Sequence, residues 1–81
     1  MTNDTVLAEA AATFVDALHH IYVNISVRPI ASYEDEDLAL QVMIPSTLAR
    51  DQVLDTCHRE CLKIEDLYEV FLLPVVVYAQ G

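Results

Sequence analysis

Glycine is almost absent from this sequence, because Gly81 is the only one among its 81 residues. Loops that hold phosphates against backbone N–H groups, in dinucleotide-binding domains and in P-loop enzymes, need several glycines at fixed spacing. The composition therefore excludes both kinds of nucleotide site. The sequence also contains no local motif for a catalytic nucleophile, so we expect a protein that is not an enzyme and uses no cofactor.

Positive charge is scarce as well. The chain has 4 Lys and Arg against 13 Asp and Glu, which gives a formal net charge of −9. Direct binding of nucleic acid requires clustered Lys and Arg that neutralise phosphates. We therefore expect that this protein does not bind nucleic acid directly.

Long apolar runs are missing too. The longest uncharged segments cover residues 17–27 and 70–81, and both are shorter than the roughly 20 apolar residues that span a bilayer. The first residues carry no positive charge and precede no apolar core of the kind found in a secretory signal. We expect no membrane segment and a cytoplasmic location.

The length predicts one domain, residues 1–81, and the first half predicts a helix followed by a hairpin. Leu7 and Leu18 belong to an apolar stripe with helical spacing. Over residues 21–27 apolar and polar side chains alternate, which is the period of a half-buried strand, and Pro29 limits pairing at its end. A second alternating run covers residues 38–44, so we predict that the two strands pair antiparallel.

The second half predicts another helix and a last strand. Apolar residues at helical spacing cover residues 49–64, with Ser46 or Thr47 as the cap. Residues 65–73 fit either a helix or a strand, and we favour a strand at least over residues 75–78. The predicted fold class is α+β, in the order helix, strand, strand, helix, strand. We expect an antiparallel sheet with both helices on one face.

The C-terminal segment, residues 71–78, carries no charge. Such a composition is typical of a strand buried on both faces, whereas Pro74 is typical of an edge strand. Two helices cover only one face of a small sheet, so we expect a homodimer or another protein partner to cover the rest. The alternative is that this segment fills the core of its own chain. The predicted contact residues are Phe71, Leu73, Val75, Val76, Val77 and Tyr78.

Four consecutive acids form a turn between the two predicted strands. They lack the alternating acids and the central glycine of a calcium-binding loop. We interpret them as a solvated turn and as a secondary contact for a basic surface. These residues are Glu34, Asp35, Glu36 and Asp37.

Cys57 and Cys61 lie four residues apart on the second predicted helix. Their Cβ atoms would be roughly 5–6 Å apart, which is wider than a relaxed disulfide allows, so we expect reduced thiols. A structural zinc site needs about four ligands, and the chain has no second cysteine pair. We favour core packing and predict no metal, with a site that adds His19 or His20 as the alternative.

The best functional hypothesis is a small acidic interaction protein, such as an adaptor, a chaperone-like factor or a regulatory subunit. A second hypothesis is an inhibitor that mimics nucleic acid, in which the acids of residues 51–69, together with the turn from Glu34 to Asp37, face a basic cleft. Arg50, Arg59 and Lys63 interrupt that acidic row. A third hypothesis is a metal-dependent regulator that uses Cys57, Cys61 and a histidine.

Overall fold

The computed structural model describes residues 4–30 and 37–79. Within them lie two helices, α1 (Asp4–Ile21) and α2 (Arg50–Tyr68), and three strands, β1 (Ser26–Ile30), β2 (Leu38–Ile44) and β3 (Leu72–Tyr78). The strands form one sheet in the order β1-β2-β3. This element order confirms the predicted α+β class.

The sheet is mixed, so the prediction of an antiparallel sheet is wrong for one of its two pairs. β1 and β2 pair antiparallel, as predicted for the hairpin. β2 and β3 pair parallel, in a register that runs from Leu38 opposite Leu72 to Ile44 opposite Tyr78. The reason is the helix between them. α2 carries the chain back to the end of the sheet where β2 begins, so β3 runs in the same direction as β2.

The sequence predicts the change from helix to strand near residues 20–24, and α1 ends there, whereas β1 begins only at Ser26. The helix continues through Ile21, and the Tyr22 N–H donates to the Leu18 carbonyl at 2.7 Å. Val23 is 85% exposed, so the alternation over residues 21–27 marks a strand only in its last part. Pro29 lies inside β1 and not at its end.

The N-terminus of α2 is held by a tertiary contact. The predicted cap at residues 46–47 is wrong, because the helix starts after Ala49 and no side chain of that residue caps it. Instead the Tyr78 hydroxyl accepts a hydrogen bond from the Arg50 N–H at 3.1 Å and donates one to the Leu48 carbonyl at 3.2 Å. The last strand therefore stabilises the start of the helix that precedes it.

At its other end α2 extends beyond the predicted residue 64 and stops where the backbone reverses hand. Glu69 adopts the left-handed conformation (φ 57°), and its N–H donates to the Glu65 carbonyl at 2.8 Å. β3 begins three residues later. The ambiguous residues 65–73 are thus helix in their first part and strand in their last.

Two Tyr–Thr pairs join the helices. The hydroxyls of Thr13 and Thr56 each donate to the carbonyl four residues earlier in their helix, at 2.9 and 3.1 Å. Each threonine oxygen can then accept a hydrogen bond from a tyrosine hydroxyl. The Tyr68 hydroxyl donates to Thr13 at 3.0 Å, and the Tyr22 hydroxyl donates to Thr56 at 3.1 Å. These contacts join the middle of α1 to the end of α2 and the end of α1 to the middle of α2, so the helices run antiparallel.

The core lies between the helices and one face of the sheet. Phe14 and Leu18 of α1 and Val53, Cys57 and Ile64 of α2 form one buried cluster with Leu40, Val42, Ile44, Leu72 and Val76. The predicted placement of both helices on one sheet face is therefore confirmed.

We predict that Tyr78→Phe lowers the free energy of unfolding by about 1 kcal/mol, since the tertiary cap of α2 is lost while the ring remains. Urea denaturation followed by circular dichroism measures this change. The denaturant slope should stay constant, because the folded structure is otherwise retained. An unchanged midpoint would show that the hydroxyl does not stabilise α2.

Candidate functional site

The two faces of the sheet differ in what covers them. In β3, Leu72, Pro74 and Val76 are buried, whereas Leu73 and Val75, like Val77, are only half-buried. Successive side chains of a strand point to opposite faces, so the half-buried residues point away from the core. We call this second face the open face, since no described helix covers it. Its residues are Ser26, Arg28, Ile30, Gln41, Met43, Leu73, Val75 and Val77. Ala39 also lies on this face, opposite Ile30 and Leu73, but it is completely buried.

The register places the β2 residues of the open face beside those of β3. Gln41 lies opposite Val75, and Met43 lies opposite Val77. Both β2 residues are half-buried, like their partners. On the far strand, Arg28 Nε donates to Gln41 Oε1 at 3.0 Å. The open face is therefore apolar along β3 and at Met43, and polar where Gln41 in the middle of β2 meets Arg28 of β1.

The predicted contact residues fall into four environments, three within β3 and a fourth just before that strand. Leu73, Val75 and Val77 lie together on the open face. Val76 is 1% exposed and belongs to the core, so its side chain is not available to a partner. Tyr78 is 46% exposed, but its hydroxyl already holds the N-terminus of α2.

Phe71 precedes β3 and is 47% exposed. It lines a shallow apolar cavity of about 250 Å³ beside β3, together with Leu62 of α2 and with Leu73 and Pro74. Leu62 is exposed as well. Leu73 belongs to both surfaces, so apolar surface continues from the open face around the edge of the sheet to α2.

Most of the predicted acidic contact lies outside the described residues, namely Glu34, Asp35 and Glu36. Asp37 is described, and its Oδ2 accepts a hydrogen bond from the Phe71 N–H at 2.8 Å. Its own N–H donates to the Phe71 carbonyl at 2.9 Å. Asp37 therefore joins the start of β2 to the start of β3.

The free edge of β3 is poorly suited to pairing with another strand. The Phe71 carbonyl accepts hydrogen bonds from the N–H groups of Asp37 and Leu38 at the start of β2. The Ile44 carbonyl at the end of β2 accepts one from the N–H of Ala79, which follows β3. The odd-numbered residues of β3 therefore turn their backbone groups toward β2, and the even-numbered ones turn outward. Among the outward residues, Pro74 has no N–H, and the Val76 carbonyl accepts from Arg50 Nε at 2.7 Å.

The opposite edge, β1, carries a proline in an equivalent position. The even-numbered residues of β2 direct their backbone groups to β3, as the Leu38 N–H shows. Leu40 is one of these even-numbered residues, and it lies opposite Pro29 in the antiparallel pair. The two residues therefore form a non-hydrogen-bonded pair, in which the backbone groups of each point away from the other. The Pro29 nitrogen therefore faces outward, and this edge also lacks a donor.

The cysteines are free and buried, as predicted for reduced thiols that pack in the core. Burial raises the pKa of the Cys57 thiol to about 11, with a further contribution from the charge of Glu60. Burial, followed by Cys57, Glu60 and Glu65, raises the pKa of Cys61 to about 12. Both thiols therefore stay protonated near neutral pH, which disfavours metal ligation and nucleophilic attack.

The histidines do not join the cysteine pair. Among residues 4–30 and 37–79, no group of three or more His, Cys, Asp or Glu side chains is placed to hold a metal ion. His19 Nε2 lies 3.3 Å from the Ile25 carbonyl, at the end of α1. His20 and His58 are exposed. The structure therefore does not bring Cys57 and Cys61 together with a histidine.

Neither described helix is long and apolar enough to cross a membrane. The fold and the site define a small α+β protein in which the two helices of the described residues pack on one face of a mixed sheet. No family model matches the chain, and no curated protein or solved structure matches it either. We therefore infer its function from the open face and the two sheet edges themselves.

The contribution of β2 and β1 to the open face is not among the predicted contacts. The pattern predicts Ala39, Gln41 and Met43 as part of a strand only. The signal was present in the alternation of residues 38–44, since it places Gln41 and Met43 on the face opposite Leu40. The pairing of β2 with β3 was needed to place these residues beside Val75 and Val77.

We predict slow reaction of both thiols with a thiol reagent at pH 8. A pKa of about 11 in place of 9.0 lowers the thiolate fraction about a hundredfold, and burial restricts access further. The rate is measured by absorbance with a chromogenic disulfide. In urea the rate should rise to that of a free cysteine, and an equally fast reaction of the folded protein would contradict the buried placement.

Proposed function

We propose that this protein is a non-enzymatic protein-binding module, an adaptor, chaperone-like factor or regulatory subunit, and that the open face is its contact surface. The observation that supports this most is the half-buried row Leu73, Val75 and Val77, which no described helix covers. Three aliphatic side chains in one row, with Met43 beside them, form the kind of apolar patch that protein partners cover. We propose no cofactor, since the contact needs none.

The energetics favour burial of this row against another protein. Removing apolar surface from water contributes about 2.5 kcal/mol for each 100 Å². The side chains already stand on a sheet and lose little freedom on binding, since β-branched valines have few rotamers. A preformed surface of this kind binds without the ordering cost of a flexible segment.

The surrounding charge has a separate role in this proposal. A net charge of −9 keeps a protein with an exposed apolar patch soluble, because the copies repel one another at most orientations. We propose that the protein acts in the cytoplasm, which the two free thiols support.

The hypothesis of a nucleic-acid mimic has less support. Lys63 Nζ forms an ion pair with Glu60 Oε2 at 3.0 Å on α2, and Arg59 is exposed on the same helix. These cations reduce the negative field along the row that would face a basic cleft.

Site-specific cross-linking tests the proposed contact surface. Val75 is replaced by the photo-reactive benzoylphenylalanine, and the protein is irradiated in its native cells. We expect a covalent adduct with a protein, identified by mass spectrometry, because Val75 lies at the centre of the open face.

The matched control carries the same photo-reactive residue at Asp55, which is exposed on α2. Adducts at position 75 should exceed those at position 55 at least fivefold, well beyond random collision. Equal or absent adducts at the two positions would refute binding through the open face.

A further inference from the structure

We propose that the open face binds a second copy of this chain, with the two sheets stacked face to face and neither sheet edge involved. This inference depends on the proposed function, because it names the partner of the same surface. Two observations support it, namely the absence of carboxylates from the strands and the state of the two edges, and the area of the face limits the affinity.

The three described strands carry no carboxylate. They contain no Asp or Glu, and Arg28 is their one charged residue. The acids among residues 4–30 and 37–79 belong to the helices or lie next to an element. In a protein with a net charge of −9, the strands of the open face can therefore meet those of a second copy without carboxylates of their own.

Face-to-face stacking also keeps the acidic helices of the two copies apart. Stacked sheets lie about 10 Å apart, and the helices of each copy lie on the outer side of its own sheet. The acidic helices of two copies are then separated by more than the Debye length of about 8 Å at physiological salt. A continuous sheet formed edge to edge would instead place helices of the two copies side by side.

The edges themselves oppose a continuous sheet. Pro29 and Pro74 remove an outward donor from each edge, and Arg50 Nε occupies the outward carbonyl of Val76. Edge pairing would break that 2.7 Å hydrogen bond and leave two positions of the new ladder without a donor. Face-to-face stacking leaves all these contacts intact.

The area predicts a weak dimer. Two strands about 23 Å long and β1, about 17 Å long, at a spacing of about 4.8 Å present roughly 300 Å² per copy, compared with about 800 Å² per partner in a stable complex. We therefore expect a dissociation constant in the range of about 10–300 μM, within reach of sedimentation measurements.

Analytical ultracentrifugation of the pure chain tests the proposal, from about 5 μM to about 500 μM. We expect the mass to rise from monomer toward dimer over this range. Val75→Glu should weaken the dimer at least tenfold, since it places a carboxylate at the centre of each face. The matched control Val23→Glu adds the same charge at an 85% exposed loop position, and it should keep the wild-type dissociation constant within about twofold.

Circular dichroism establishes that each variant is folded. Val77→Glu, near the end of β3, replaces Val75→Glu if the latter unfolds, and the same tenfold weakening is expected. Raising NaCl from about 50 mM to about 500 mM should strengthen the dimer, because salt screens the repulsion of the net charges and does not weaken apolar burial. A dimer weakened by salt would overturn the proposed apolar interface.

Two results separate this inference from the proposed function. A chain that stays monomeric to about 500 μM overturns the second copy as partner, and so does a dimer that Val75→Glu and Val77→Glu leave unchanged. In that case adducts of position 75 with a different protein still support the open face as a binding surface. A monomer that also gives no adducts removes both proposals.

Discussion

The two described helices cover one face of the sheet and leave the other face without a helix, and the other features of the structure depend on this difference. α1 and α2 pack on the face that carries Leu40 and Val76, and the shared cluster is almost completely buried. On the other face, Val75 and its neighbours on β3 are only half-buried. Since the strand alternates, the same segment supplies the core of the fold and the apolar surface that we propose for binding.

The contacts that complete the fold also determine how the sheet can be approached. Arg50 begins α2, and its side chain reaches the outward carbonyl of Val76. Tyr78 ends β3, and its hydroxyl holds the start of the same helix. These bonds connect the β2–α2–β3 crossover at the sheet edge. They also remove part of the backbone that a further strand would need, so association by the face is favoured over association by the edge.

Much of the fold was predictable from local pattern. The alternation over residues 38–44 predicted β2 with its observed bounds, and apolar spacing predicted both helices. The prediction was less exact where two patterns overlap. Residues 21–27 satisfy both a helical and a strand period, and in the structure α1 ends at Ile21, residues 22–25 form the connection and β1 begins at Ser26. The parallel pairing of β3 was missed because a direction set by a crossover has no local signature.

The uncharged composition of residues 71–78 by itself predicted an apolar last strand, but it left open whether this strand lies at an edge of the sheet and whether its own chain buries it. Only the tertiary structure decided which side chains the open face contains. A shift of one residue in register exchanges the two faces of a strand, so the sequence could not distinguish Val76, which is buried, from Val75, which is accessible. Long-range pairing with β2 made that choice, because it set which side of β3 faces the helices.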